Sequence, residues 1–259
     1  MTGNRHPQWI IPDWPAPANV QALVTTRDGG DSTGPYASLN LGTRTDDDPV
    51  AIVANRTRLQ GCLPQPPRWL AQVHGTSVVD VDTLSDLPDE VPQADASVAR
   101  RPGTVCAILI ADCLPILLTD RAGTCIGAAH AGWRGLAGGV IANTVARMPA
   151  PPADLLAWIG PGIGPTAFEV GYDVLHAFCK DAPERKSAFN PQRPGKWLCD
   201  LPALARDALH RTGIKEVFGG DLCTYSDPDR FYSYRRDGIT GRMAALIWLS
   251  TEPPAPDTV

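Results

Sequence analysis

Two histidines and one cysteine are the residues of this chain most able to do chemistry together. His74 lies in Val73-His74-Gly75, His130 in Ala129-His130-Ala131-Gly132, and Cys113 in Asp112-Cys113-Leu114-Pro115. Histidine is scarce here, with five in all, and these two stand beside glycine at the ends of apolar segments. Two neutral imidazoles and a thiolate would give Zn²⁺ three ligands carrying one negative charge. The fourth tetrahedral position would stay open for water or substrate, as in catalytic rather than structural zinc sites. The separations along the chain match no zinc-finger spacing, so spacing alone does not select a metal site. Either histidine taken singly is explained equally well as a core imidazole with satisfied nitrogens. Cys113 shifts the balance. An apolar strand interrupted by Asp112, Cys113 and then Pro115, which cannot donate a ladder bond, calls for a reason beyond packing.

The elements that must position this trio can be sketched from pattern. Val20 to Thr26 reads as a strand running into the turn residues Arg27 to Gly30. Asp48-Pro49 starts a helix in which Val50, Val53, Ala54 and Thr57 follow helical spacing to Gly61. Trp69 to Val81 is extended, interrupted at His74-Gly75. From Thr104 to His130 the apolar residues are too continuous for a solvent-facing strand, which predicts central strands covered on both faces. A helix from about Arg134 to Met148 follows, then a strand Leu155 to Ile159, the turn GPGIGP, and a helix Tyr172 to Lys180. Asp200 caps a helix with the stripe Leu201, Leu204, Ala205, Ala208 and Leu209. Val217-Phe218 and Met243 to Leu249 supply further strands. This alternation predicts a single layered α/β domain over residues 1–250, its largely buried mixed sheet flanked by helices. Residues 251–259 read as a disordered proline-rich tail.

Composition narrows the functions. With 259 residues and a net charge of -5, Lys and Arg being scattered singly, the chain has none of the one-sided positive field that nucleic acid demands. No run is long enough to span a bilayer. In Met1 to Pro17 the apolar residues Trp9, Ile10, Ile11 and Trp14 are broken up by Pro12, Asp13 and Pro15, so no signal core is present and a cytoplasmic location is expected. Seven cysteines, an odd number without a CxxC pair, argue against a disulfide framework.

The segments QVHGTSVVDV, ADASVA, IADCLPILLTD, GAAHAGWRG, IGPGIGPTAFEVG and SYRRDGITGRMA closely resemble the laccase-domain family of bacterial YfiH-like proteins and their vertebrate relative. The likeness runs from Thr25 to the final strand. It implies a YfiH-like fold and a zinc site built from His74, Cys113 and His130. It also implies phosphorolysis of adenosine, inosine, guanosine and methylthioadenosine, together with adenosine deamination. A water whose pKa zinc brings towards neutrality suits attack on C6 of adenine with loss of ammonia. Phosphorolysis instead needs phosphate held near the ribose C1′ by cationic and backbone donors. Arg134, at the start of the expected helix, is the first candidate for that role, with Arg27 and Arg235 behind it.

Other site assignments are looser. Asp112 is a candidate acid or base, provided the strand is distorted so that it shares a face with Cys113. Gln72 has the parity of His74 and is a candidate for contact with substrate; Glu169 and Tyr172 are further candidates. His176 and His210 read as surface or helix-end residues. Gly132, Gly135, Gly138 and Gly139 suit either close helix packing or anion binding, and GPGIGP suits a rigid turn.

Three rival functions keep some of these residues. Cys113 as a nucleophile with a histidine base would make a hydrolase or amidase, consistent with peptidoglycan-precursor editing in relatives. Copper in place of zinc would make a phenol oxidase, with Met148 or Met243 as axial ligand, although five histidines cannot also build a multicopper cluster. A non-enzymatic binding module leaves the trio unexplained.

Overall fold

The apolar stretch from Val105 to Asp120 cannot continue as one strand, because Asp112 adopts φ 88°, a left-handed conformation in which the chain turns. In the computed structural model, which describes residues 8–85 and 91–251, the two halves of that stretch belong to different sheets. β1 (Val20–Val24), β4 (Val105–Ile110) and β12 (Met243–Leu249) form an antiparallel sheet in the order β1-β12-β4. β5 (Leu114–Asp120) instead lies in a six-stranded mixed sheet with β2 (Val78–Asp80), β3 (Ala96–Ala99), β6 (Ile126–Ala131), β7 (Leu155–Ile159) and β11 (Glu216–Gly219). Its order is β11-β7-β5-β6-β3-β2. The β11–β7 and β2–β3 pairs are parallel and the others antiparallel.

Alternation along each strand explains the layering. Ile108 and Ile110 of β4 and Ala245 and Ile247 of β12 pack against Leu117 and Ala128 of the larger sheet. Leu114, Ile116 and Leu118 point the other way. They meet a helical layer of α2 (Trp133–Gly138), α3 (Val140–Arg147), α4 (Tyr172–Cys179) and α5 (Leu201–Arg211). On the outer face of the small sheet Leu23, Ala107 and Leu246 pack with Leu59 of α1 (Pro49–Gln60). The protein is thus a mixed α/β domain with two facing sheets and helices on both outer sides. A small antiparallel sheet, β8 (Glu169–Val170), β10 (Lys196–Cys199) and β9 (Phe189–Arg193), and a short helix α6 (Tyr234–Asp237) complete it. No helix among the described residues is long and apolar enough to cross a membrane.

Several expectations need correction. The stripe read on α1 faces the wrong way: Val50 and Val53 are 75% and 65% exposed, while Ala51, Ile52, Asn55 and Leu59 are buried. Asn55 decides the face, because its amide donates to Ser32 Oγ, Ser38 O and Asn40 O and accepts from Asp31 N. A buried, fully bonded amide has no place in a hydrophobic periodicity. The single helix expected from Arg134 to Met148 is two, broken at Gly139 with φ 96°. Between Trp69 and Val81 only Val78–Asp80 is a strand. The tail expected to be disordered lies, beyond Thr251, outside the described residues, as does the start of the N-terminal segment.

Candidate metal centre

The ends of β3 and β6, the corner between β4 and β5, and the loop before β2 converge at one edge of the two sheets. There His74, Cys113 and His130 each offer a ligand atom, all within 4.8 Å of one another. The trio grades from exposed His74 through half-buried Cys113 to buried His130, so the cluster is walled on the protein side and open towards solvent beside His74. The two imidazoles meet edge to face, their centroids 4.9 Å apart. His74, with φ 61°, and Asp112 are the described non-glycine residues in the left-handed region. Such backbone strain persists where surrounding contacts over-determine it, and here it flanks or includes a member of the trio.

Asp95 supplies much of that determination. Its fully buried carboxylate accepts Val73 N at 3.2 Å, His74 N at 2.9 Å and Gly75 N at 2.7 Å, and it holds His130 Nδ1 at 2.8 Å. One side chain therefore shapes the loop that carries His74 and leaves His130 Nε2 to face Cys113. Burial alone would push the Asp95 carboxyl up, but the bonds from His130, Gly75 and Val73 hold it below the usual carboxylate range. Burial would likewise raise the Cys113 thiol. The charge of His130 and hydrogen bonds from both histidines outweigh this and hold it well below an ordinary thiol. His130 moves the opposite way: burial disfavours its charge, while Cys113 and Asp95 favour it more. The downward shift of Cys113 favours its thiolate, the form that ligates metal.

Close packing completes the frame. A Cβ on Gly132 would lie 2.8 Å from Cys113 Sγ and 3.0 Å from the His74 ring, and one on Gly135 would lie 2.8 Å from Gly75 O. The glycines of HAGWRG thus let α2 approach the loop bearing His74. The donor chemistry fits a metal of borderline softness: two imidazole nitrogens, one sulfur, and a carboxylate orienting one imidazole from behind.

The remaining candidates are placed as follows. Asp112 is buried beside the cluster, and its carboxylate accepts Thr224 Oγ1 at 2.6 Å and Arg235 N at 2.7 Å. Gln72 does not present its amide to a substrate as parity suggested. It pairs with the backbone of Leu109 through both its oxygen and its nitrogen, at 2.8 and 2.9 Å, extending the edge of β4. Arg27 donates to Ala37 O and Pro228 O and lies over Tyr232. Arg235 donates to Glu169 O and lies over Phe168. Arg134 is exposed and lies over its neighbour Trp133. Glu169 pairs with Arg193 at 2.7 Å. Tyr172, 65% exposed, stacks on His176, and His210 bonds Ile214 O. Asp95 is the residue of the cluster's surroundings that pattern reading missed; its signal was a lone acid directly ahead of the small, uncharged run Ala96–Ala99.

Comparison with known proteins gives a consistent result. Residues 21–250 match the family described as multi-copper polyphenol oxidoreductase laccase. A purine nucleoside phosphorylase of Pseudomonas aeruginosa is 53% identical over 93% of this chain and 98% of its own length. The purine nucleoside phosphorylase YfiH of Escherichia coli is 50% identical with the same coverage. Among solved structures, a Neisseria meningitidis protein of the DUF152 family superposes with TM-score 0.91 at 52% identity, covering 94% of this chain and 99% of that one. YlmD from Geobacillus stearothermophilus superposes with TM-score 0.87 at 32% identity, covering 96% and 99%.

Proposed function

This chain belongs to the family described as multi-copper polyphenol oxidoreductase laccase, and on that premise we propose that it is a zinc-dependent purine nucleoside phosphorylase that also deaminates adenosine. The observation that carries the proposal is the convergence of His74, Cys113 and His130 in a chain about half identical to proteins named purine nucleoside phosphorylase. His74, Cys113 and His130 would hold the zinc ion, which would supply Lewis acidity. The residues of the chain do the rest. Asp95 fixes the tautomer and direction of His130 and holds the His74 loop in place. Asp112, bonded by Thr224 and the Arg235 backbone, fixes the corner from which Cys113 projects. Exposure on the His74 side gives a purine nucleoside its approach. A multicopper oxidase is disfavoured because, among the described residues, the remaining histidines His176 and His210 lie outside the cluster, stacked on Tyr172 and bonded to Ile214 O, and do not extend it to further copper sites.

A second reading rests on a specific observation. Asp95, His130 and Cys113 stand in the order of a carboxylate, base and thiol triad, which a cysteine hydrolase or amidase would use without metal. His74 at Cys113 argues for the metal, since a triad has no use for a second imidazole on the sulfur. Product analysis of an adenosine reaction with and without phosphate separates these readings. Adenine and ribose 1-phosphate appearing only with phosphate, and inosine appearing without it, are the expected result. No nucleoside turnover, together with rapid alkylation of an essential Cys113 in metal-free protein, would move the assignment to the hydrolase.

A further inference from the structure

Phosphorolysis requires a fixed cation for phosphate, and the three arginines singled out by pattern are poorly placed to provide one. Arg27 already uses Nε and Nη1 on carbonyls, while Arg235, with Nη1 on Glu169 O, and Arg134, over Trp133, are both exposed to solvent. Arg242 differs from all three. It directly precedes β12, whose first residue Met243 pairs with Ile110, so it lies across from the corner Ala111-Asp112-Cys113. Its backbone N donates to Asn40 Oδ1 and its O accepts Leu41 N. Its Cβ and Cγ lie against Gly42, where a methyl group would come within 2.7 Å. Nη1 donates to Thr240 O at 2.8 Å and Gly241 O at 2.9 Å.

A guanidinium has five N–H donors in a planar fork. With Nη1 anchored, the Nε–Nη2 edge is left, and among the described residues that edge makes no hydrogen bond and no carboxylate pairs with it. Burial opposes the charge of this half-buried side chain, and the acidic groups near enough to favour it are Cys113 and Asp112. Asp112 is already bonded elsewhere. A half-buried cation without a dedicated counter-ion is stabilised when an anion joins it. The open edge has the geometry of a bidentate oxyanion contact.

We propose that Arg242 holds the phosphate co-substrate beside the His–Cys–His cluster through its Nε–Nη2 edge. The assignment rests on the phosphorylase reading above. In the step it serves, an oxygen of hydrogenphosphate bonds to the ribose C1′ as the C1′–N9 bond breaks. The electron pair of that bond stays on the purine, the hydrogenphosphate proton ends on a purine nitrogen, and ribose 1-phosphate is left. Deamination of adenosine consumes water and has no need of Arg242.

The test uses metal-loaded full-length protein and inorganic phosphate as the probe, with calorimetric binding and steady-state kinetics side by side. Arg242→Gln is expected to weaken phosphate binding and raise the KM for phosphate by about 10- to 100-fold. The KM for adenosine and phosphate-independent inosine formation should stay within about twofold of the parent. Arg242→Lys, which keeps the charge but loses the fork, should fall between, and Arg134→Ala should leave phosphate affinity unchanged. A folded Arg242→Gln protein with unaltered phosphate binding and KM would overturn the assignment while leaving the phosphorylase reading intact. If Arg242→Gln does not fold, unaltered phosphate affinity in Arg242→Lys would overturn it equally. Arg242-dependent phosphate binding by a wild-type protein that turns over no nucleoside would instead uphold the anion site and reject the phosphorylase reading.

Discussion

Asp95 and Asp120 lie at opposite ends of the six-stranded sheet and use the same device. Each is a buried carboxylate that gathers backbone amides: Asp95 takes those of Val73, His74 and Gly75, while Asp120 takes Thr124 N, Cys125 N and Thr124 Oγ1. Asp120 closes the turn between β5 and β6, and every partner is within five residues. The partners of Asp95 come from two distant segments, and one of them is the imidazole of His130. The reach of the partners separates the two roles. A carboxylate that collects local amides finishes a hairpin. One that ties a strained loop to a buried histidine organises a site.

Substitution of either aspartate separates the two roles. The largest effect is expected for Asp95→Ala, which leaves His130 Nδ1 and three loop amides without their acceptor. Metal affinity should fall about 10- to 100-fold, the usual cost of removing a partner behind a ligating histidine, measured by competition with a chromophoric chelator. Unchanged affinity in a folded Asp95→Ala protein would show that the two aspartates do not differ in kind. Asp120→Ala should leave metal affinity alone and lower stability by about 2 kcal/mol, the scale of lost hydrogen bonds to a charged acceptor, read from denaturant unfolding.

A smaller effect is the acid dependence of that loss. Burial would raise the Asp120 carboxyl, but hydrogen bonds from Thr124 and Cys125 hold it below its ordinary value. The folded-state pKa is therefore the depressed one. The stabilisation from Asp120 is complete above about pH 4, its unfolded value, and is lost as pH falls through the folded value. The gap between wild type and Asp120→Ala should be constant near neutrality and shrink below about pH 4; a gap that widens in acid would contradict this.

Much of the frame was legible in sequence because it rests on local rules. The strands Leu155–Ile159 and Met243–Leu249 end where their apolar runs end, and Asp48 and Asp200 cap their helices through side-chain oxygens bonded to Val50 N and Ala203 N. The trio was legible because polar residues interrupt apolar strands beside glycine. What was hidden depends on tertiary partners. The corner at Asp112 sends β4 and β5 into different sheets, which no hydrophobic count distinguishes from one long run. Asn55 turns α1 by its hydrogen bonds, and Gln72 acts as a surrogate strand residue for Leu109. Asp95 gains its meaning only once the loop at His74 and the end of β6 are brought together.

The most direct test of the whole account is metal stoichiometry in the wild-type protein and in Cys113→Ala, each purified without chelator, then incubated with zinc and desalted. About one zinc per wild-type chain is expected, and almost none retained by a folded Cys113→Ala protein. A wild-type chain that keeps no zinc, or a Cys113→Ala chain that keeps a full equivalent, would contradict it.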